Sequence, residues 1–160
     1  MNRARTIVLT VILWAVAAAP ARADITAFIG PNFTPANRLT SGLAVGFGLV
    51  IVGFEFEFAN TTDDPPQGAP TLKTGMGNVL LQSPVPIFGV QPYVTTGAGL
   101  SREELGAVSD TSIAFNTGGG VKIDLAGPLR LRVDYRVFKL GNNALHSPAH
   151  RVYVGLNLKF

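Results

Sequence analysis

Glu55 and Glu57 stand two residues apart, Arg130, Arg132, Asp134 and Arg136 follow the same spacing, and Lys122 and Asp124 repeat it once more. Paired carboxylates can work as a general acid and base. Four basic side chains near Glu55 and Glu57 argue instead for neutralised ion pairs, because opposite charges hold a carboxyl in its ionised form. His146-Ser147, with His150 close by and Asp110 as the acidic partner, is the one place for nucleophilic chemistry. The stretch from Asn142 to His150 reads as a loop and has no strained nucleophile turn. Two histidines four apart on a loop lack the further ligands that a metal needs. Asp63-Asp64-Pro65-Pro66 offers too few oxygens for calcium. Gly118-Gly119-Gly120 lacks the following Lys-Ser or Lys-Thr and the helix of a phosphate loop. Glu103 and Glu104 face one way only if a loop bends. No catalytic residue, metal or cofactor is expected, and the chain is not expected to be an enzyme.

The elements that carry these charges are strands. Leu129, Leu131, Val133, Tyr135 and Val137 alternate with Arg130, Arg132, Asp134 and Arg136. Phe54, Phe56 and Phe58 bracket Glu55 and Glu57. The ending does the same, with Val154, Leu156, Leu158 and Phe160 against Tyr153, Gly155, Asn157 and Lys159. Successive side chains of a strand point to opposite faces, whereas a helix would spread these charges all round. Eight strands are predicted near 25–33, 41–48, 51–60, 74–82, 90–101, 111–125, 129–140 and 150–160. The stretch from Thr74 to Leu81 leaves its lipid-facing side open. Pro31 and Pro92 are expected to weaken pairing locally, since proline donates nothing to a ladder. Tight turns between strands 2 and 3 and at Ala126-Gly127-Pro128 alternate with longer polar connections at 34–40, 61–73, 102–110 and 141–149, while the middle turn from Ser83 to Gly89, with Pro84 and Pro86, is longer than that pattern prefers.

Composition narrows the setting. Arg3 and Arg5, an apolar run from Ile7 to Ala19, and Ala21-Arg22-Ala23 read as a secretory signal peptide over 1–23, with Ala21 and Ala23 at the cleavage positions and Asp24 as the first mature residue. The whole chain carries a formal charge of +3. Residues 24–160 lose Arg3, Arg5 and Arg22 and become neutral, which removes any argument for a nucleic-acid partner. With no cysteine there is no disulfide framework despite export. The longest later apolar stretch, Leu43 to Phe54, falls short of the roughly 20 residues of a membrane helix. A membrane would have to be crossed by strands.

The signal peptide, the glycine-rich alternating strands, Gly97-Ala98-Gly99-Leu100 and the ending Gly155-Leu156-Asn157-Leu158-Lys159-Phe160 resemble the small outer membrane protein β-barrel superfamily, the OmpA/OmpX-like group. The resemblance covers residues 24–160. It implies an all-β, eight-stranded, antiparallel up-and-down barrel in the outer membrane of a Gram-negative bacterium, monomeric and surrounded by outer-membrane lipids. It also implies that Val154, Leu156, Leu158 and Phe160 form the signal that the barrel-assembly machinery reads. No peptidoglycan-binding domain is expected after Phe160.

Barrel geometry then sets an expectation for the charges. Folding the hairpin about Gly127 puts Asp124 opposite Arg130, Lys122 opposite Arg132 and Gly120 opposite Asp134. The third strand lies across the lumen from the seventh. Glu55, Glu57, Asp124 and Asp134 should therefore meet Lys122, Arg130, Arg132 and Arg136 inside a plugged lumen. The expected role is envelope integrity or surface contact. Two other roles compete: a soluble lipocalin-like periplasmic carrier, and an enzyme that removes acyl chains from lipid A through a rim serine and histidine.

Overall fold

A computed structural model describes residues 21–141, 144 and 146–160; the expected leader lies outside the described residues except for its last three. Eight strands close into a barrel: β1 (Ala21–Asn32), β2 (Arg38–Leu49), β3 (Val52–Thr61), β4 (Thr71–Gln82), β5 (Val90–Leu105), β6 (Val108–Ala126), β7 (Leu129–Lys139) and β8 (Ala149–Lys159). Each pairs antiparallel with the next, and β8 returns to β1. Closure gives every strand two partners and leaves no edge, the condition a sheet must meet in hydrocarbon.

The two faces of the wall differ sharply. On β3, Phe56 and Phe58 are 59% and 69% exposed, while Glu55 and Glu57 are 2% and 0% exposed. Phe54, Phe56 and Phe58 lie beside Phe47, Val45 and Leu43 of β2, so large apolar side chains tile the outside. Val154, Leu156, Leu158 and Phe160 join that outer surface. A soluble barrel buries this set and exposes the charges. The soluble-carrier expectation fails on that point, since a continuous apolar exterior in water drives association.

One end of the barrel holds tight turns. They are Val50-Ile51 and Gly127-Pro128, where Gly127 takes a φ of 56°; the longer connection 83–89 lies at the same end. The other end holds connections 33–37, 62–70 and 140–148. A long loop at 102–110 does not form. Instead β5 and β6 run on and meet at Gly106-Ala107, with Gly106 at a φ of 60°. Glu103 pairs with Asp110 and Leu105 with Val108, so a polar segment here is strand that leaves the apolar band rather than irregular chain. At its base Lys73 donates to Glu104 at 3.0 Å, and this contact holds the exposed carboxyl below its usual range.

On β4, Leu72, Thr74, Met76, Asn78 and Leu80 face inward. Gly75 and Gly77 face outward under the rings of Phe58 and Phe56, whose atoms lie 3.4 and 3.8 Å from where a Cβ would stand. Near Pro31 the β1–β8 ladder passes from Ile29↔Val154 to Asn32↔Arg151 and skips the residues between, as a missing N–H requires.

Candidate functional site: the barrel lumen

The middle of the lumen is built from β3, β5, β7 and β8. Strand parity aims Glu55 and Glu57 inward from β3, and Arg132, Asp134 and Arg136 inward from β7, directly across. Arg132 pairs with Glu55 and donates to Asp134 at 2.9 Å. Arg136 donates to Glu55 at 2.8 Å and to Asp134 at 3.0 Å, and its third nitrogen lies 2.9 Å from Glu57. Arg151, from β8, reaches Glu57 at 3.3 Å and packs over the Phe138 ring at 4.4 Å. The Tyr153 hydroxyl donates to Asp134 at 2.9 Å. Tyr93 donates to Asp134 and accepts from Arg132 Nε at 2.7 Å. Among the described residues, three arginines and three carboxylates thus balance at this level, all of them buried.

Space for these large groups comes from glycine on the neighbouring strand. Gly118 and Gly120 of β6 lie opposite Arg136 and Asp134. A Cβ on Gly118 would come within 2.9 Å of the Arg136 side chain, and one on Gly120 within 2.7 Å of the Tyr93 hydroxyl. The glycine run is a recess that the network occupies.

The network is closed in above and below. Toward the loop end, Leu72, Met76, Ala114, Phe138, Leu140 and Ala149 form an apolar layer. Above it the buried Arg38 donates to the Thr62 carbonyl at 3.1 Å, to the Thr34 carbonyl at 2.9 Å and to that of Pro70, tying two connections together. Toward the turn end, Asp24 accepts from Lys122 at 2.8 Å and from Arg130 at 3.1 Å. Arg130 also donates to Asn157 at 2.8 Å and to Gln91 at 3.1 Å.

The β6–β7 register pairs Gly120 with Asp134, Lys122 with Arg132 and Asp124 with Arg130, as folding about Gly127 requires. Glu55, Glu57, Arg132, Asp134 and Arg136 meet in one cluster. Lys122 and Arg130 are buried too, but around Asp24. Asp124 does not join them: the ladder slips between Asp124 and Ala126, the strand ends there, and the carboxylate sits exposed with Lys159 3.9 Å away. The sequence reading missed Asp24, Tyr93, Arg151 and Tyr153. Arg151, Tyr153 and Asn157 share the polar parity of the last strand, which was the available signal.

The other chemical candidates are dispersed. The Ser147 hydroxyl accepts from the Leu140 N–H at 3.1 Å, and His150 Nδ1 lies 2.8 Å from the Tyr135 hydroxyl. Asp110 lies on the β5–β6 hairpin opposite Glu103. Among the described residues no group of three metal-ligating side chains could hold an ion.

No protein-family model and no curated protein sequence matches this chain. Solved structures do match. The N-terminal β-barrel domain of Pseudomonas aeruginosa OprF aligns with a TM-score of 0.69 at 14% identity, covering 87% of this chain and 97% of that one. Neisserial surface protein A (NspA) aligns at 0.71 and 16%, covering 88% and 97%. The fold is that of a small outer-membrane barrel. A third outer-membrane barrel, the outer membrane enzyme PagL, aligns at 0.53 and 11%, covering 84% and 98%. Such low identities carry the fold of the outer-membrane barrel and leave its activity to be argued from its own residues.

Proposed function

We propose that this chain is an integral protein of the bacterial outer membrane, exported by a leader cleaved after Ala23, whose lumen is plugged and whose role is structural or surface-presenting rather than enzymatic. The observation that carries the reading is the balanced layer of Glu55, Glu57 and Asp134 with Arg132, Arg136 and Arg151, sealed by the apolar layer above it. Eight strands enclose an interior just wide enough for side chains, and here large ones cross it. In this orientation the turn end faces the periplasm and the β5–β6 hairpin stands outside the cell. The barrel works as a monomer, and Val154, Leu156, Leu158 and Phe160 serve as its assembly signal. The partners of Ser147 and His150 argue against a rim hydrolase.

Conductance tests the plug. Purified barrel in a planar bilayer is expected to give no steady current above the bare membrane, and large sustained steps would overturn the proposal.

Insertion depth tests the orientation of the apolar rim. Val50, Ile51, Val85, Ile87, Phe88 and Leu125 are all exposed at the turn end. That rim belongs in the lipid interface, where aromatic rings are favoured. Trp14, the sole tryptophan of the sequence, leaves with the leader, so a Phe88→Trp probe in the mature protein should show blue-shifted emission and strong quenching by lipids labelled near the headgroup. Emission typical of tryptophan in water, with no lipid quenching, would place the rim clear of the membrane and overturn its seat in the lipid interface.

A further inference from the structure

The charge balance of the lumen's middle is not kept at its turn end. Among the described residues, Lys122 and Arg130 share one carboxylate oxygen there, Oδ2 of Asp24, at 2.8 and 3.1 Å. Arg130 also donates to Asn157 and to Gln91. Lys122 is 4% exposed, and apart from Asp24 its ammonium meets only the face of the Tyr93 ring, at 5.8 Å. An ammonium has three N–H donors, and two of them have no acceptor among the described protein groups. Beside them lies a cavity of about 100 Å³, open toward the turn end and bordered by Asp24, Gln82, Gln91, Lys122 and Arg130. Glu55 also borders it, but Arg132 and Arg136 already hold that carboxylate.

We propose that this cavity is a binding site for a small oxyanion of the phosphate or sulfate class, entering from the periplasm, with Lys122 as its direct charge partner. A tetrahedral oxyanion supplies several acceptors at once, which suits the two free donors of Lys122 and the amide of Gln82. Arg130 adds a second positive charge behind, and one added negative charge brings the cluster to neutrality. A divalent cation is disfavoured by the same count. Cleavage after Ala23 would add the α-ammonium of Asp24 to the same mouth and strengthen its preference for anions. The site does not depend on whether the lumen conducts.

Calorimetric titration of the detergent-folded protein with sodium phosphate and with sodium sulfate, against sodium chloride at equal ionic strength, reads the binding. Saturable heat with either oxyanion and none with chloride is expected. Lys122→Gln should weaken affinity about tenfold or more, since it removes a charge-assisted contact. Asp24→Asn should tighten it, because it removes the competing carboxylate, and a gain in affinity cannot come from loss of fold. Lys159→Gln, at the rim, should leave it unchanged. Equal heats for all three salts, or unchanged affinity in both Lys122→Gln and Asp24→Asn, would overturn the site.

Discussion

Replacing Glu55 by alanine is expected to lower the unfolding free energy of the barrel by about 3–5 kcal/mol, the usual cost of stranding buried charge. Glu55 is the hinge of the network, because it binds both Arg132 and Arg136. Without it, two guanidiniums that never leave their charged form keep Glu57 and Asp134 as the remaining carboxylates of the layer. Water cannot easily relieve them, since Arg132 and Arg136 are fully buried. Urea titration in lipid vesicles, followed by the mobility shift between folded and unfolded barrel, measures the loss. A double variant, Glu55→Met with Arg132→Met, should recover much of it, as a matched pair replaced by apolar groups of similar volume often costs little. Glu104→Ala, on the solvent-exposed hairpin, should change little. A Glu55→Ala variant as stable as the parent would mean that the side chains do not form a desolvated network.

The network was legible in part because a strand's parity is visible in its residues. Glu55, Glu57, Arg132, Asp134 and Arg136 sit on the polar parity of strongly alternating stretches, and an eight-strand ring places the third strand opposite the seventh. Asp24 was invisible by the same logic. Its partners Lys122 and Arg130 lie 98 and 106 residues away along the chain, and they meet it only through closure of the ring. Arg151 shares the polar parity of the last strand, yet its partner Glu57 is 94 residues distant and fixed by how far the strands are staggered. Asp124 shows the opposite failure. Parity put it inside, but the ladder slips at the turn and leaves it outside the enclosed section. β4 defeats parity for another reason: its inward Leu72, Met76 and Leu80 belong to apolar parts of the lumen, while its outward glycines are roofed by phenylalanines of β3. The β5–β6 hairpin was mistaken for a loop because polar composition reports contact with water, not irregular backbone.

The wall offers a second test with a comparably large effect, because it concerns what lies outside the barrel rather than within. Phe56 is at the middle of β3, with Val45 beside it and Phe54 and Phe58 on the same face. If hydrocarbon surrounds this face, Phe56→Arg must bring a charged guanidinium toward the centre of the bilayer, at a cost of about 2–4 kcal/mol. Asn60 lies four residues along the same strand and also points outward, but near the loop end. There the side chain can reach the headgroups, so Asn60→Arg should cost about 0–1 kcal/mol. The contrast matters more than either value, since both changes leave the lumen untouched. In a water-soluble barrel an added surface arginine would be tolerated equally at the two positions. Urea titrations of both variants in vesicles of one lipid, yielding the same small loss for each, would therefore remove the membrane from around β3 and with it the reason for the alternating pattern.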